Sequence, residues 1–287
     1  MKLVYPNAIE WRQTDAVDHV AKCARVCYAS ETDKAEANIK LVESLKKRGH
    51  LSMFRHQSRY FVIKQSETGK DIYKSIYNKL REFKFCPFIA YAIDNNVIYI
   101  STNGQFYLDI LNYPKGRNEY SLIELIANYE VTPDEFKHYD FGFSLMRFTF
   151  CLTTSIRVSR ELNRVSPNNI AEQSTRYVNF DKKGGITICL PHWWLGSPWY
   201  IKLIFKTYWK MCEIAYKLAI KMGFAPEDAS GVLPLHTATK VVYTYNVNEW
   251  KHIIDLRYHG TTGKPHPDAK RVMNLVRWCM LENGYEM

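Results

Sequence analysis

Apolar residues recur at helical spacing over residues 17–27, at Val17, Val20, Ala21, Ala24 and Cys27, which predicts an amphipathic helix. Residues 37–48 repeat the pattern through Ile39, Leu41, Val42 and Leu45, and Gly49 supplies a C-terminal stop. Residues 60–63 and 146–152 read as strands. The stretch 199–222 is apolar around much of a helical circumference, so it belongs in a core or at a subunit interface. Residues 240–245 predict a strand, 248–256 a helix, and 266–281 a final helix with Pro265 and Pro267 marking its start. Residues 66–140 are less regular, with a helix over 71–83, a strand over 97–100 and a polar loop over 113–120. IYISTNGQFYLDIL (98–111) echoes the strand–Asn–helix pattern of VVYTYNVNEWKHII (241–254), but identities are so few that the likeness reads as coincidence. No low-complexity linker divides the chain. The pattern predicts one α/β (α+β) domain over 1–287, with an insertion at 66–140.

Composition adds bounds. The chain has 287 residues, 46% of them hydrophobic, enough for a sizeable core. The net charge of +10 suggests an anionic partner: a nucleic acid, a phosphate-bearing small molecule or a membrane surface. Lysines solvating helix faces, as in LVESLKKRGH, explain the same charge. There is no dense basic run and no RNP-like aromatic motif, so nucleic-acid binding has no further support. The start, MKLVYPNAIEWRQTD, lacks the apolar run of a signal peptide, and the most apolar stretch, 141–158, is interrupted by Arg147 and Arg157. No membrane segment is expected. Seven scattered cysteines without a CxxC pair read as reduced thiols, and a cytoplasmic location follows. Cys23 and Cys27 are four apart, but no matching His/Cys pair follows, so no zinc is expected.

Three stretches carry candidate chemistry. In NRVSPNNIAEQSTRYVNF (163–180), Glu172, Ser174 and Arg176 alternate, and in an extended segment they would share one face, with Gln173, Thr175 and Tyr177 on the other. Arg176 offers a planar fork suited to phosphate and Ser174 a hydroxyl donor. Glu172 would instead accept from a sugar hydroxyl, a base N–H or a flavin. An ordinary strand edge with a Glu–Arg pair has the same spacing, and spacing alone favours it. In GHLSMFRH (49–56), His50 and His56 are six apart, as metal ligands, base readers, or capping and core residues; no acidic partner sits at ligand spacing. In NVNEWKHIIDLR (246–257), Asn246, Trp250, Ile253 and Arg257 form one helical stripe, and Arg257 either reaches a ligand or complements the helix dipole. There is no GxGxxG after a strand, no P-loop, no HExxH and no GxSxG.

Together these motifs resemble the flavin-dependent thymidylate synthases, the ThyX family. ARVCY at 24–28, GHxSxxxH at 49–56, EQSTRY at 172–177 and VLP…NxxEWxHxxxLR over 232–257 carry the resemblance in order, and HPDAKR at 266–271 looks like the family's last helix. The resemblance implies a central twisted sheet flanked by helices and a homotetramer with active sites shared between subunits. It implies methylation of dUMP at C5 using FAD, NADPH and methylenetetrahydrofolate, without a cysteine nucleophile. By motif position, Ser174 and Arg176 would contact the nucleotide phosphate, and Arg257 the pyrimidine. Glu161 would lie beside the nucleotide. His56, Arg164, Glu172, Asn246 and His252 would surround the flavin, and Arg257 with Glu172 would be the catalytic pair.

The chain departs from the family pattern at several positions. Where the family has Arg-His-Arg it reads Arg164-Val165-Ser166, followed by a stiffening Pro167, and Asn169 and Ala171 replace a serine and a polar residue. Ser230 stands where an arginine usually precedes VLP, and Arg55 where an acid is common. Losing an arginine from a phosphate site removes a charge-assisted bond of about 1.5–3 kcal/mol. Lys115 or Arg117 of the insertion could replace the missing cations. The readings are an active synthase with altered FAD contacts, a flavin- and folate-dependent enzyme modifying C5 of another pyrimidine nucleotide, or a non-catalytic nucleotide-binding homologue.

Overall fold

The computed structural model describes residues 1–112, 120–165 and 169–287. The expected loop at 113–120 therefore lies outside them save for its last residue, as do Lys115, Arg117, Ser166 and Pro167.

Two strands organise the main sheet: β7 (Arg147–Ser155) and β10 (Ala238–Asn246), preceded in the chain by β1 (Lys2–Val4), β2 (Asn7–Glu10), β3 (Ser58–Lys64), β4 (Ile89–Asp94), β5 (Val97–Asn103) and β6 (Glu130–Val131), with β8 (Ile170–Glu172) and β9 (Thr187–Cys189) between them. RFTFCLTTS and ATKVVYTYN are apolar or β-branched on nearly every position because both lie inside the sheet and bury both faces. The order is β2-β7-β10-β8, with every pair antiparallel, and β1 pairs with β9 in a small parallel ribbon. One core fills the space under this sheet: Phe148, Phe150, Tyr243 and Tyr245 meet Trp250 and the buried ridge Ala269, Val272, Met273, Val276 and Met280 of the helix Pro267–Glu282. The Trp250 indole donates to the Phe148 carbonyl at 3.0 Å, so the deepest aromatic leaves no orphan N–H.

The expected insertion builds a second antiparallel sheet, β4-β5-β3-β6, with its own core of Phe61, Ile63, Ile76, Leu80, Ile98, Ile100 and Phe106. Its strand β3 comes from before residue 66, so the segment 66–140 shares a sheet with the residues that precede it. Tyr60, Val62, Tyr99 and Phe136 share the main core. The echo between 98–111 and 241–254 is structural as well. Each strand ends in an asparagine whose side chain caps the next helix: Asn103 Oδ1 accepts from Phe106 N at 3.1 Å and Asn246 Oδ1 from Glu249 N at 2.9 Å. Each also pairs with the first residue of a neighbouring strand, Ser58 for Asn103 and Arg147 for Asn246.

The long helix Trp199–Lys221 buries only Trp209, Glu213 and Tyr216. Trp199, Leu203, Ile204, Tyr208, Met211, Ile214 and Leu218 are each at least 50% exposed, so the apolar circumference read from the sequence is not covered by this chain. All seven cysteines are free thiols. No helix among the described residues is long and apolar enough to cross a membrane, and no group of three potential metal ligands is found among them.

Candidate active site

The alternation of Glu172, Ser174 and Arg176 is broken by the backbone. The strand β8 ends at Glu172, and Ser174 begins a turn: its Oγ accepts from Arg176 N at 3.1 Å and from Tyr177 N at 3.4 Å. A serine hydroxyl that stabilises its own turn in this way takes the segment off the extended path. The three side chains thus serve different neighbours. Glu172 accepts from Asn163 Nδ2 at 3.0 Å and Thr239 Oγ1 at 3.2 Å, and Asn163 accepts in turn from the Tyr243 hydroxyl at 2.7 Å. Arg176 is exposed and donates through Nε to Glu227 at 3.0 Å. On the other expected face, Gln173 lines a cleft of about 450 Å³ with Trp11, Lys22, Ser30 and Lys240, whereas Thr175 lines a separate pocket of about 360 Å³ with Arg160, Ser230 and Gly231.

Glu161 and Arg164 sit at the end of the helix Ile156–Leu162 and in the turn after it. Glu161 is half-buried and within electrostatic reach of His266. Arg164 is exposed and has no protein partner among the described residues. Val165, in the position of the family's histidine, is buried in the main core.

His56 is fully buried. Its Nδ1 meets Thr244 Oγ1 at 2.8 Å, Thr244 Oγ1 meets Thr149 Oγ1 at 2.7 Å, and Thr149 Oγ1 meets His19 Nε2 at 3.2 Å. Burial pushes His56 down to about 3, helped by His19, Arg147 and Arg55, and pushes His19 down to about 4, helped by Lys22. Both imidazoles are therefore neutral parts of a core network, and His56 Nε2 lies buried without a full hydrogen bond. His50, the other histidine of that motif, is exposed at the entrance to the 3₁₀ turn Leu51–His56.

Asn246 is occupied as the N-cap of the helix Val247–Ile254, in a capping box with Glu249. It lies five residues from Val241, the partner of Glu172, which is about 17 Å along β10 at the rise of a strand. His252 is exposed on that helix. Arg257 follows in a π-helical turn, Asp255–His259, of the kind that recurs at functional sites. Its Nε is buried with no hydrogen-bond partner among the described residues. Among the described residues no bond ties His252 or Arg257 to the EQSTRY turn.

Sequence reasoning missed the His19–Thr149–Thr244–His56 network, because threonines in a β-strand read as surface-compatible. It also passed over Arg157 and Arg160, although their spacing from Arg164 was visible as a helical row. Burial pushes the Cys27 thiol, beside Glu172, upward, and does the same to Cys23, Cys151 and Cys189. None of these supplies a ready thiolate.

The two antiparallel sheets, the flanking helices and this polar turn define a mixed α/β protein with a cleft beside the end of β8. The family model described as Thy1, thymidylate synthase complementing protein, matches residues 137–282, and the chain belongs to that family, whose enzymes are flavin-dependent. The solved UMP/dUMP methylase PolB from Streptomyces cacaoi bound with 5-Br dUMP is similar at 15% identity, covering 98% of this chain and 93% of that one with a TM-score of 0.46. The same enzyme bound with 5-Br UMP is similar at 14% identity, covering 98% and 92%, with a TM-score of 0.43. No curated protein matches the chain.

Proposed function

We propose that the protein is a flavin-dependent methyltransferase that converts dUMP to dTMP with methylenetetrahydrofolate and NADPH. The observation that carries this reading is the EQSTRY turn, held within the stretch that matches the family model: an exposed arginine beside a hydroxyl-built turn, next to a carboxylate already oriented by Asn163 and Thr239. Ser174 and Arg176 bind the nucleotide phosphate, Glu161 lies beside the nucleotide, and Arg257 engages the pyrimidine and acts with Glu172 at the reacting ring.

The residues present fit a flavin in part. Among the described residues, Arg164 and His252 have side chains without protein partners, as the polar edge or diphosphate of such a cofactor requires, and the buried Arg257 Nε, orphaned among those residues, is left for the pyrimidine. Arg164 and His252, with Glu172, would hold the flavin, and bound FAD would supply the hydride chemistry. His56 and Asn246 are bound up within the chain and act by shaping the wall behind it. Asn246 stands about 17 Å along the strand from the partner of Glu172. That separation, with the bare apolar face of Trp199–Lys221, supports a homotetramer that brings complementary half-sites together. The chain works as one catalytic domain over 1–287, with 66–140 inserted in it, in the cytoplasm.

Purified protein tests this directly. The expected result is a yellow preparation, or one that becomes so with FAD, and release of the C5 proton from dUMP when the other substrates are added. Protein that binds no FAD overturns it. The burial of Val165 favours a second reading. With no imidazole at that position, the chain either modifies another pyrimidine nucleotide or binds nucleotide without catalysis; flavin-bound protein that oxidises NADPH but leaves the dUMP C5 proton in place supports the former.

A further inference from the structure

Arg157 and Arg160 lie one turn apart on the helix Ile156–Leu162, and Arg164 continues the row in the turn that follows. At 100° per residue the three fall within about 60° of one another around the axis. All are exposed, and none has a carboxylate at ion-pair distance or a side-chain hydrogen bond among the described residues. Three like charges on one side of a helix repel one another, so the row costs stability unless an anion uses it.

Arg160 opens on the pocket of about 360 Å³ whose other walls include Thr175, Ser230, Gly231 and Pro234. Two polar side chains nearby are already engaged. Arg176 donates to the Glu227 carboxylate at 3.0 Å, and the Ser230 hydroxyl donates to the Glu227 carbonyl at 2.7 Å. Arg160 is left as the guanidinium with its N–H donors open to the pocket.

We propose that Arg160 is a phosphate-binding residue of the nucleotide site, gripping the dianionic monophosphate of a pyrimidine nucleotide together with the Thr175 hydroxyl. It rests on the nucleotide reading of the EQSTRY turn and adds the cation that Ser230 does not provide. Arg157 strengthens the local positive potential without contact. A phosphate arriving in this pocket also competes with Glu227 for Arg176, because an exposed ion pair is weak and a dianion offers more charge to the same fork.

The test compares dUMP, deoxyuridine and FAD as probes by equilibrium titration of the full chain, as wild type, Arg160→Ala, Arg160→Lys and Glu227→Gln. Arg160 is exposed, so the variants fold, which circular dichroism verifies. The expected result is wild-type preference for dUMP over deoxyuridine, and a loss of dUMP affinity of about 10- to 100-fold in Arg160→Ala with deoxyuridine unchanged. Arg160→Lys recovers part of the loss, and Glu227→Gln binds dUMP more tightly. Wild type that prefers dUMP, with unchanged affinity in Arg160→Ala, overturns the role of Arg160 and leaves the nucleotide reading standing. Wild type that binds neither dUMP nor deoxyuridine overturns both. Weakened FAD binding with dUMP unaffected overturns the assignment by placing the cation on a cofactor diphosphate.

Discussion

The buried histidine pair makes the fold acid-sensitive in a way that can be calculated. In the native state burial holds His56 at about 3 and His19 at about 4, while in the unfolded chain both titrate near the ordinary value of 6.5. Below pH 6.5 the unfolded state takes up protons that the native state refuses, so stability falls as pH falls, until the native values are reached. Each pH unit corresponds to about 1.4 kcal/mol per histidine. At pH 5.0, about 1.5 units below the unfolded value, each residue removes about 2 kcal/mol and the pair about 4 kcal/mol. That is a large share of a typical unfolding free energy of about 5–15 kcal/mol. Urea unfolding followed by tryptophan fluorescence at pH 7.5, 6.0 and 5.0 measures the effect in wild type, His19→Gln and His56→Gln. Each substitution breaks a hydrogen bond to the threonine network and lowers stability at pH 7.5 by about 1–3 kcal/mol. The informative quantity is the slope: each variant should lose about 2 kcal/mol less than wild type between pH 7.5 and 5.0. Parallel wild-type and variant lines would show that the imidazoles reach solvent or are charged in the native state, and the buried-network account would fail.

Other changes have equally definite outcomes. Gly142→Ala places a Cβ 2.0 Å from the Phe136 carbonyl oxygen, a backbone atom that cannot swing away, and should cost about 3 kcal/mol or more, seen as a lowered melting temperature. Asn246→Ala removes the cap of the helix Val247–Ile254 and should cost about 1 kcal/mol in thermal unfolding, with Asn246→Asp retaining most of the stability. Met211→Glu with Ile214→Glu puts charges on the bare face of Trp199–Lys221 and should lower the assembled mass in light scattering; a wild-type protein that is already monomeric would contradict the tetramer.

The elements were legible wherever burial was continuous. The helix at 267–282 shows its Ala269–Val272–Met273–Val276–Met280 ridge in the sequence because one face meets the main core, and strands β7 and β10 show near-unbroken apolar runs because both their faces are buried. The second sheet was less legible because β3 lies before the expected insertion and its partners β5 and β6 lie within it, and no local periodicity records that pairing. The strand–Asn–helix echo looked like coincidence at the level of identities. Its physical content, an asparagine capping the helix after a paired strand, needs only one conserved function of one side chain.

The candidate site illustrates the opposite limit. Residue type suggested Ser174 as a hydroxyl donor to phosphate, whereas its Oγ accepts from the N–H groups of its own turn, and a two-residue periodicity ends wherever such a turn begins. Charge behaves similarly. Arg176, chosen from the sequence for its fork, is engaged by Glu227, whereas Arg160, which no motif marked, has no side-chain partner among the described residues. An arginine's availability depends on which carboxylates the fold brings near it, and Glu227 lies 51 residues away in the chain. A proposed phosphate site is therefore better sought from a guanidinium without a partner among the described residues outward than from the motif inward.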